Sequence, residues 1–256
     1  MLGEAIVALT ALTLMEIVLG IDNIVFISIV SGRLPPNQRP IARRLGLALA
    51  LGFRILMLSS LNYALKNLQS PFFHLSGLGL TQEMTRISDS KFWEEVNGIS
   101  WRDVILFLGG LFLLAKSVHE IHKQMEHDHT KHGPAKSVSF VSILIQIALL
   151  DIVFSLDSVI TAVAMANDLW VMVTAVIISI VAMMVFANPI GEFVENHPTL
   201  KMLALSFLIL IGVMLVAEGI GSHFNKNYVY FAMTFALIVE FLNMRVRAKQ
   251  SPVSVH

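Results

Sequence analysis

Apolar residues dominate seven stretches of the chain, at about 5–30, 45–65, 104–118, 140–166, 169–186, 202–217 and 228–244, and polar residues gather between them. A bilayer core about 30 Å thick takes about 20 mostly apolar residues as a helix. The pattern therefore predicts an all-α, polytopic membrane protein with seven transmembrane helices. The fifth stretch is the cleanest, with no charge from 169 to 190. The sixth is short between Lys201 and Glu218, where a lysine can snorkel to the interface. The first has no basic segment before it and carries Glu16 and Asp22 inside it, so it reads as a retained span rather than a signal peptide.

Composition sharpens this picture. A length of 256 residues alone would suit one or two soluble domains, but 55% are apolar and 14% charged, against about 25% charged in soluble domains. The mean hydropathy is +0.73. Eighteen basic residues balance eighteen acidic ones, which leaves no overall field to recruit nucleic acid. The absence of cysteine excludes disulfides, thiolate metal ligands and a cysteine nucleophile.

Loop charge predicts orientation. The first connection holds Arg33, Arg39, Arg43 and Arg44, the third holds Lys123, Lys131 and Lys136, and the tail holds Arg245, Arg247 and Lys249. The fourth connection has no lysine or arginine, and the sixth has only Lys226. Odd connections are thus expected in the cytoplasm, with the N-terminus outside and the C-terminus inside. Tyr63, Trp93, Trp101 and Trp170 fall where an interfacial aromatic belt would lie.

The first and fourth spans share a motif. Glu16-Ile-Val-Leu-Gly-Ile-Asp22-Asn23 aligns without gaps on Asp151-Ile-Val-Phe-Ser-Leu-Asp157-Ser158. A weaker match sets Gly110-Leu-Phe-Leu-Leu-Ala115-Lys116 on Gly212-Val-Met-Leu-Val-Ala217-Glu218. The chain thus divides into a three-helix repeat (1–118), a histidine-rich connection (119–139), a second three-helix repeat (140–220), and a seventh helix with a basic tail (221–256). An odd number of spans inverts the second unit relative to the first, as in many secondary transporters. The two acidic motifs can then meet near the midplane.

An ionised acid at the bilayer centre costs about 2.5–3.5 kcal/mol, so four facing lipid would cost about 10–14 kcal/mol. Glu16, Asp22, Asp151 and Asp157 are therefore expected to face inward and to be compensated by protons, a basic partner or a cation. Helical spacing puts Glu16, Gly20 and Asn23 on one face, and Asp151, Ser155 and Ser158 on another. Asp22 and Asp157 point off that line unless the helix unwinds, which Gly20 would permit, freeing carbonyl oxygens. Such a set of oxygen donors suits Mn²⁺, Mg²⁺ or Ca²⁺ better than copper or zinc. The rival reading is a buried ion-pair network with Arg54 and Lys116 as the charge partners. Two bases leave those acids in excess.

Other polar residues suggest smaller roles. Asn188-Pro189 reads as the stop of the fifth helix, and Gln146 as a hydrogen-bonding residue between helices. Glu240 and Asn243 are expected at the interface, and Met183-Met184 in packing. His119, His122, His127, His129 and His132 form a candidate accessory metal loop, with a solvated loop as the plain alternative. No phosphate loop, HExxH or GxSxG motif occurs, so the sequence does not point to an enzyme.

Several segments together resemble the TerC family of integral membrane proteins, in particular its YgdQ-like members. They are Met15-Glu-Ile-Val-Leu-Gly-Ile-Asp-Asn-Ile24, Ala42-Arg-Arg-Leu-Gly46, Leu108-Gly-Gly-Leu-Phe-Leu113, Leu149-Leu-Asp-Ile-Val-Phe-Ser-Leu-Asp-Ser-Val-Ile-Thr161, Gly191-Glu-Phe-Val-Glu-Asn-His-Pro198 and Lys201-Met-Leu-Ala-Leu-Ser-Phe-Leu-Ile-Leu210. The resemblance implies a seven-helix inner-membrane protein of the LysE-like transporter grouping, with a role in metal-ion homeostasis and Mn²⁺ export. By motif match it implies that Glu16, Asp22, Asp151 and Asp157 handle the ion, with Asn23 and Ser158 beside them.

The expected activity is export of a divalent cation, manganese first. The ion would be transported cargo rather than a bound cofactor, and uptake of protons by the acids would couple the two. A non-transporting accessory protein of secretion or metal-homeostasis machinery is the alternative. An intramembrane aspartyl hydrolase using Asp22 and Asp157 is a third. Lipid and a divalent ion are the expected partners, with secretion machinery or a second copy of the chain as candidate protein partners.

Overall fold

In a computed structural model, the described residues are 2–60, 70–78, 93, 96–126, 139–165, 168–222 and 225–250. They form seven long helices: α1 (Leu2–Ser31), α2 (Arg39–Ser59), α3 (Trp101–Glu126), α4 (Phe140–Met165), α5 (Leu169–Asn196), α6 (Pro198–Gly219) and α7 (Lys226–Gln250). Each falls on one of the apolar stretches, α2 on the first part of 45–65. Among the described residues, α1, α3, α5, α6 and α7 are long and apolar enough to cross a membrane, and α4 adds a shorter apolar run, Phe140–Leu156. The arginines of α2 keep it outside that group. Large apolar side chains such as Val7, Leu14, Leu56, Val185 and Phe231 are more than half exposed. Such an outer surface suits lipid rather than water.

Helix α1 packs chiefly on α5, α3 on α6, and α2 on both α4 and α5. Contacts along the helices give their directions. Gly20 lies against Met183 and Gly32 against Glu195, so α1 and α5 run parallel. Gly46 against Ile147 and Met57 against Ser155 make α2 and α4 parallel. Gly219 against Phe107, and Gly212 against Leu114, make α3 and α6 antiparallel. At that crossing a methyl on Gly110 would lie 2.8 Å from the Gly212 carbonyl oxygen, and only glycine lets the backbones approach so closely. Helix α7 packs mainly on α6 and is largely exposed.

Several helix boundaries differ from expectation. Helix α2 begins at Arg39 rather than near 45, with Pro40 in its first turn, where a missing N–H costs nothing. This takes Arg39, Arg43 and Arg44 out of the connection and into the helix. Helix α5 continues through Pro189 to Asn196, so Asn188-Pro189 is not a helix stop. The buried stripe Met183, Ala187, Gly191, Val194 persists across the proline, and packing carries the helix over one missing hydrogen bond. Helix α1 does not unwind at Gly20. A side chain there would overlap Met183 Sδ, so the glycine serves a close approach and not a break. Gln146 donates to the Ser142 carbonyl oxygen at 3.1 Å within its own helix instead of bridging helices.

The second connection contains two short antiparallel strands, β1 (Pro71–His74) and β2 (Gly98–Ser100). Phe72 stacks on Trp101 at the start of α3, with ring centroids 4.7 Å apart. Ser100 caps that helix: its N–H donates to Asp103 Oδ2 at 2.9 Å, and the Asp103 N–H donates back to Ser100 Oγ at 3.3 Å.

Candidate ion site at mid-membrane

Glu16, Asp151 and Arg54 meet in the middle of the bundle. At 1.5 Å per residue they lie about 22, 17 and 22 Å from Ser31, Phe140 and Arg39, the helix ends they share one side with. Their side chains come from α1, α4 and α2, and each residue is at most 7% exposed. Arg54 Nη1 donates to Glu16 Oε2 at 2.5 Å, and Arg54 Nη2 donates to Asp151 Oδ1 at 3.3 Å. One guanidinium therefore bridges the leading acids of both motif copies. Asp151 Oδ2 and Arg54 Nε are buried without a hydrogen-bond partner among the described residues.

The rest of each motif surrounds this bridge. Ser158, from the second motif, is buried beside this bridge and lines a cavity with Arg54. Its hydroxyl donates to the Ser155 carbonyl oxygen at 3.3 Å. Ser155 is fully buried, donates to the Ile152 carbonyl oxygen at 3.1 Å, and stands 3.9 Å from Met57 Sδ. Asn23 and Ser158 share the wall of a cavity of about 60 Å³ with Arg54, and the cavity reaches Lys226 and Tyr230 on α7. That is several times the ~10–15 Å³ one water molecule needs.

Asp22 and Asp157 sit on α1 and α4, but their side chains lie outside the described ones. His127, His129 and His132 lie outside the described residues altogether. His119 and His122 belong to α3 rather than to a loop, and exposed His122 pairs with Glu126 one turn on at 3.5 Å. Among the described residues no group of three or more His, Asp or Glu side chains is placed to hold a metal ion. Of the two expected charge partners, Arg54 bridges the acids. Lys116 lies apart from them and lines a small pocket with Arg33 and Glu120.

A second charged cluster, not anticipated from the sequence, closes one end of the bundle. Arg39 Nη1 donates to Glu195 Oε2 at 2.6 Å, and Arg43 Nη2 donates to Glu195 Oε1. Arg43 is 1% exposed, its Nε donates to Ser31 Oγ at 3.2 Å, and its guanidinium lies over Gly191. Arg33 pairs with buried Glu120. Burial lowers the Arg33 pKa from its ordinary value, though a guanidinium stays charged at any physiological pH. The four arginines read as loop charges and Glu195 seven residues after Asn188 offered a faint signal: a basic face on a helix start needs an acid at a neighbouring helix end.

The family model described as integral membrane protein TerC family matches residues 1–252. A Haemophilus influenzae protein named only as a UPF0053 protein is 49% identical over 245 residues, covering 95% of each chain. The Escherichia coli UPF0053 inner membrane protein YgdQ is 47% identical over 251 residues, covering 98% of this chain and 96% of its own. The Escherichia coli UPF0053 inner membrane protein YoaE is 43% identical over 240 residues, covering 93% of this chain but 42% of its own. No solved structure matches.

Proposed function

The chain belongs to the TerC family of integral membrane proteins, and from that premise we propose that it is a secondary transporter exporting a divalent cation, manganese first, from the bacterial cytoplasm. The observation that carries this reading is the convergence of Glu16 and Asp151, from two motif copies, on one guanidinium deep in the bundle. One positive charge against two carboxylates leaves a net negative charge where water is scarce. A proton or a cation is the natural remedy. Glu16, Asp22, Asp151 and Asp157 would supply the charge, and Asn23, Ser155 and Ser158 the neutral oxygens. Manganese comes from the family resemblance and the oxygen chemistry.

An inverted repeat underlies this proposal, with 1–118 and 140–220 as its halves. Exchanging α1 with α4, α2 with α5 and α3 with α6 turns the α1–α5 contact into α4–α2, and the α1–α6 contact into α4–α3; each of these contacts occurs. The motif's small residue behaves alike in both halves: Gly20 packs on the Met183 sulfur, and Ser155 on the Met57 sulfur. Gly110 and Gly212, equivalent in the weaker match, face one another, as residues on a two-fold axis must. Arginine-rich connections support a cytoplasmic side at Ser31 and Arg39, with the N-terminus outside. The names of the Escherichia coli relatives support the inner membrane.

Flux into proteoliposomes tests the reading. The expected outcome is saturable Mn²⁺ movement, with Mg²⁺, Ca²⁺ and Zn²⁺ as the panel, lost on Asp22→Asn or Asp157→Asn at unchanged protein levels. No flux of any of these ions, with unchanged cellular manganese on deletion and overexpression, would remove it. The Arg54 bridge itself favours a second reading, an accessory membrane protein in which the acids are structural. In that case the triple change Glu16→Gln, Arg54→Gln and Asp151→Asn, which removes all three charges together, preserves function.

A further inference from the structure

We infer that Arg54 is the transported ion's exchange partner: its guanidinium occupies, between Glu16 and Asp151, the place a divalent cation takes, and must leave when the ion arrives. The inference rests on the cation-transport reading and adds a residue with a defined role to it. Three observations support it.

The first is placement. Arg54 is 3% exposed and touches the two acids that occupy equivalent positions in the motif copies, so an ion drawn to both meets the guanidinium first. The second is the quality of the bridge. A buried ion triad built for stability satisfies its donors and acceptors, because each orphan in low dielectric is costly. Here Asp151 is 7% exposed, touches Arg54 at 3.3 Å through one oxygen, and leaves the other without a partner among the described residues. Arg54 Nε is likewise unmatched. The third is room. Arg54 forms part of the wall of the cavity of about 60 Å³, with Asn23, Ser158 and Lys226 among the other residues that line it. A long, flexible side chain can swing that way and find hydrogen-bond acceptors without leaving the bundle.

The charge logic makes the exchange reciprocal. Two bare carboxylates in the middle of a membrane are untenable, so Arg54 departs only as other positive charge arrives, and the cation is expelled as Arg54 returns. Arginine suits the task because its planar fork spans two carboxylates and does not lose its proton.

The test is Mn²⁺ alone titrated into the purified full chain, with free Mn²⁺ read by its electron paramagnetic resonance signal, beside flux in proteoliposomes. Removing the competitor in Arg54→Gln should tighten Mn²⁺ binding about tenfold or more and slow flux at least as much, since nothing then displaces the ion. Arg54→Lys keeps a cation and guards against misfolding. A compact ammonium cannot span both acids, so about threefold tighter binding is expected. A purely structural arginine would give weaker binding in both variants. Mn²⁺ bound by the wild type but no tighter by either variant overturns the exchange and leaves the transport reading standing. No Mn²⁺ bound by any of the three proteins overturns both.

Discussion

The middle of the bundle and its arginine-rich rim use the same side chains in opposite proportion. At the rim, Arg33, Arg39 and Arg43 meet Glu120 and Glu195, and the surplus is positive. In the middle, among the described residues, Arg54 alone meets Glu16 and Asp151, and the surplus of these three is negative. A positive remainder at the helix ends lies within reach of water and anionic headgroups, which stabilise it by about 1 kcal/mol per basic residue near the surface. A negative remainder among buried side chains in the middle of the bundle has no headgroup near it and only the cavity of about 60 Å³ beside it. The rim can therefore be a permanent clasp between α2 and α5, whereas the centre calls for a further positive charge. On the proposed reading, ion pairs of similar geometry do different work, and the stoichiometry of charge tells them apart.

Neutralising the central acids should have the largest effect. Glu16→Gln or Asp151→Asn removes the surplus negative charge, and Mn²⁺ flux should fall at least ~100-fold, about 2.7 kcal/mol of lost binding to the rate-limiting state. The folded fraction in detergent should change little, because one guanidinium still faces one carboxylate. A full loss of folded protein in both variants would instead make the centre a structural clasp like the rim. The opposite pattern is expected for Glu195→Gln. It leaves Arg43, 1% exposed, without its carboxylate. Breaking a fully buried pair costs about 3–5 kcal/mol, and about 2–3 kcal/mol is expected here because Glu195 is partly exposed and glutamine still accepts a hydrogen bond. The midpoint of thermal unfolding should drop on the order of 5–10 °C, with Mn²⁺ affinity unchanged. A large affinity change with no stability loss would join the two regions into one functional unit.

The helices and the central cluster were legible in the sequence for one reason. Long apolar runs fix the spans, and an acid inside such a run must find a partner within the bundle. Four acids, Glu16, Asp22, Asp151 and Asp157, and two bases, Arg54 and Lys116, stand out on that ground; among the described side chains Glu16, Asp151 and Arg54 meet, and Lys116 lies elsewhere. Composition misleads at helix ends, where it changes while the helix does not. Arg39 and Arg43 read as loop charge because nothing local reveals Glu195, some 150 positions away, as their acceptor. Glu120 was hidden in a run of histidines and lysines, yet it is buried against Arg33. Pro189 misled for a related reason: a local stop signal yields when an apolar stripe continues beyond it. Gly20 suggested a break because spacing alone cannot separate a glycine needed for flexibility from one needed for the approach of Met183.

The finest test of the contrast lies within the rim. Arg39 and Arg43 share the Glu195 carboxylate, but their side chains are 29% and 1% exposed. An exposed pair is worth about 0.2–1 kcal/mol and is screened by salt, whose Debye length falls to about 3 Å at 1 M. Arg39→Ala should therefore cost less than about 1 kcal/mol, part of it through the Arg39 Nε hydrogen bond to the Leu34 carbonyl oxygen, 2.8 Å long. Its ionic share should disappear when unfolding is repeated at 1 M salt. Arg43→Ala should cost more, and the loss should survive high salt, because the Arg43–Glu195 and Arg43–Ser31 contacts are shielded by α1, α2 and α5. Equal, salt-sensitive losses in the two variants would mean that water reaches Arg43, and the rim would then be a solvated charge cluster rather than a clasp.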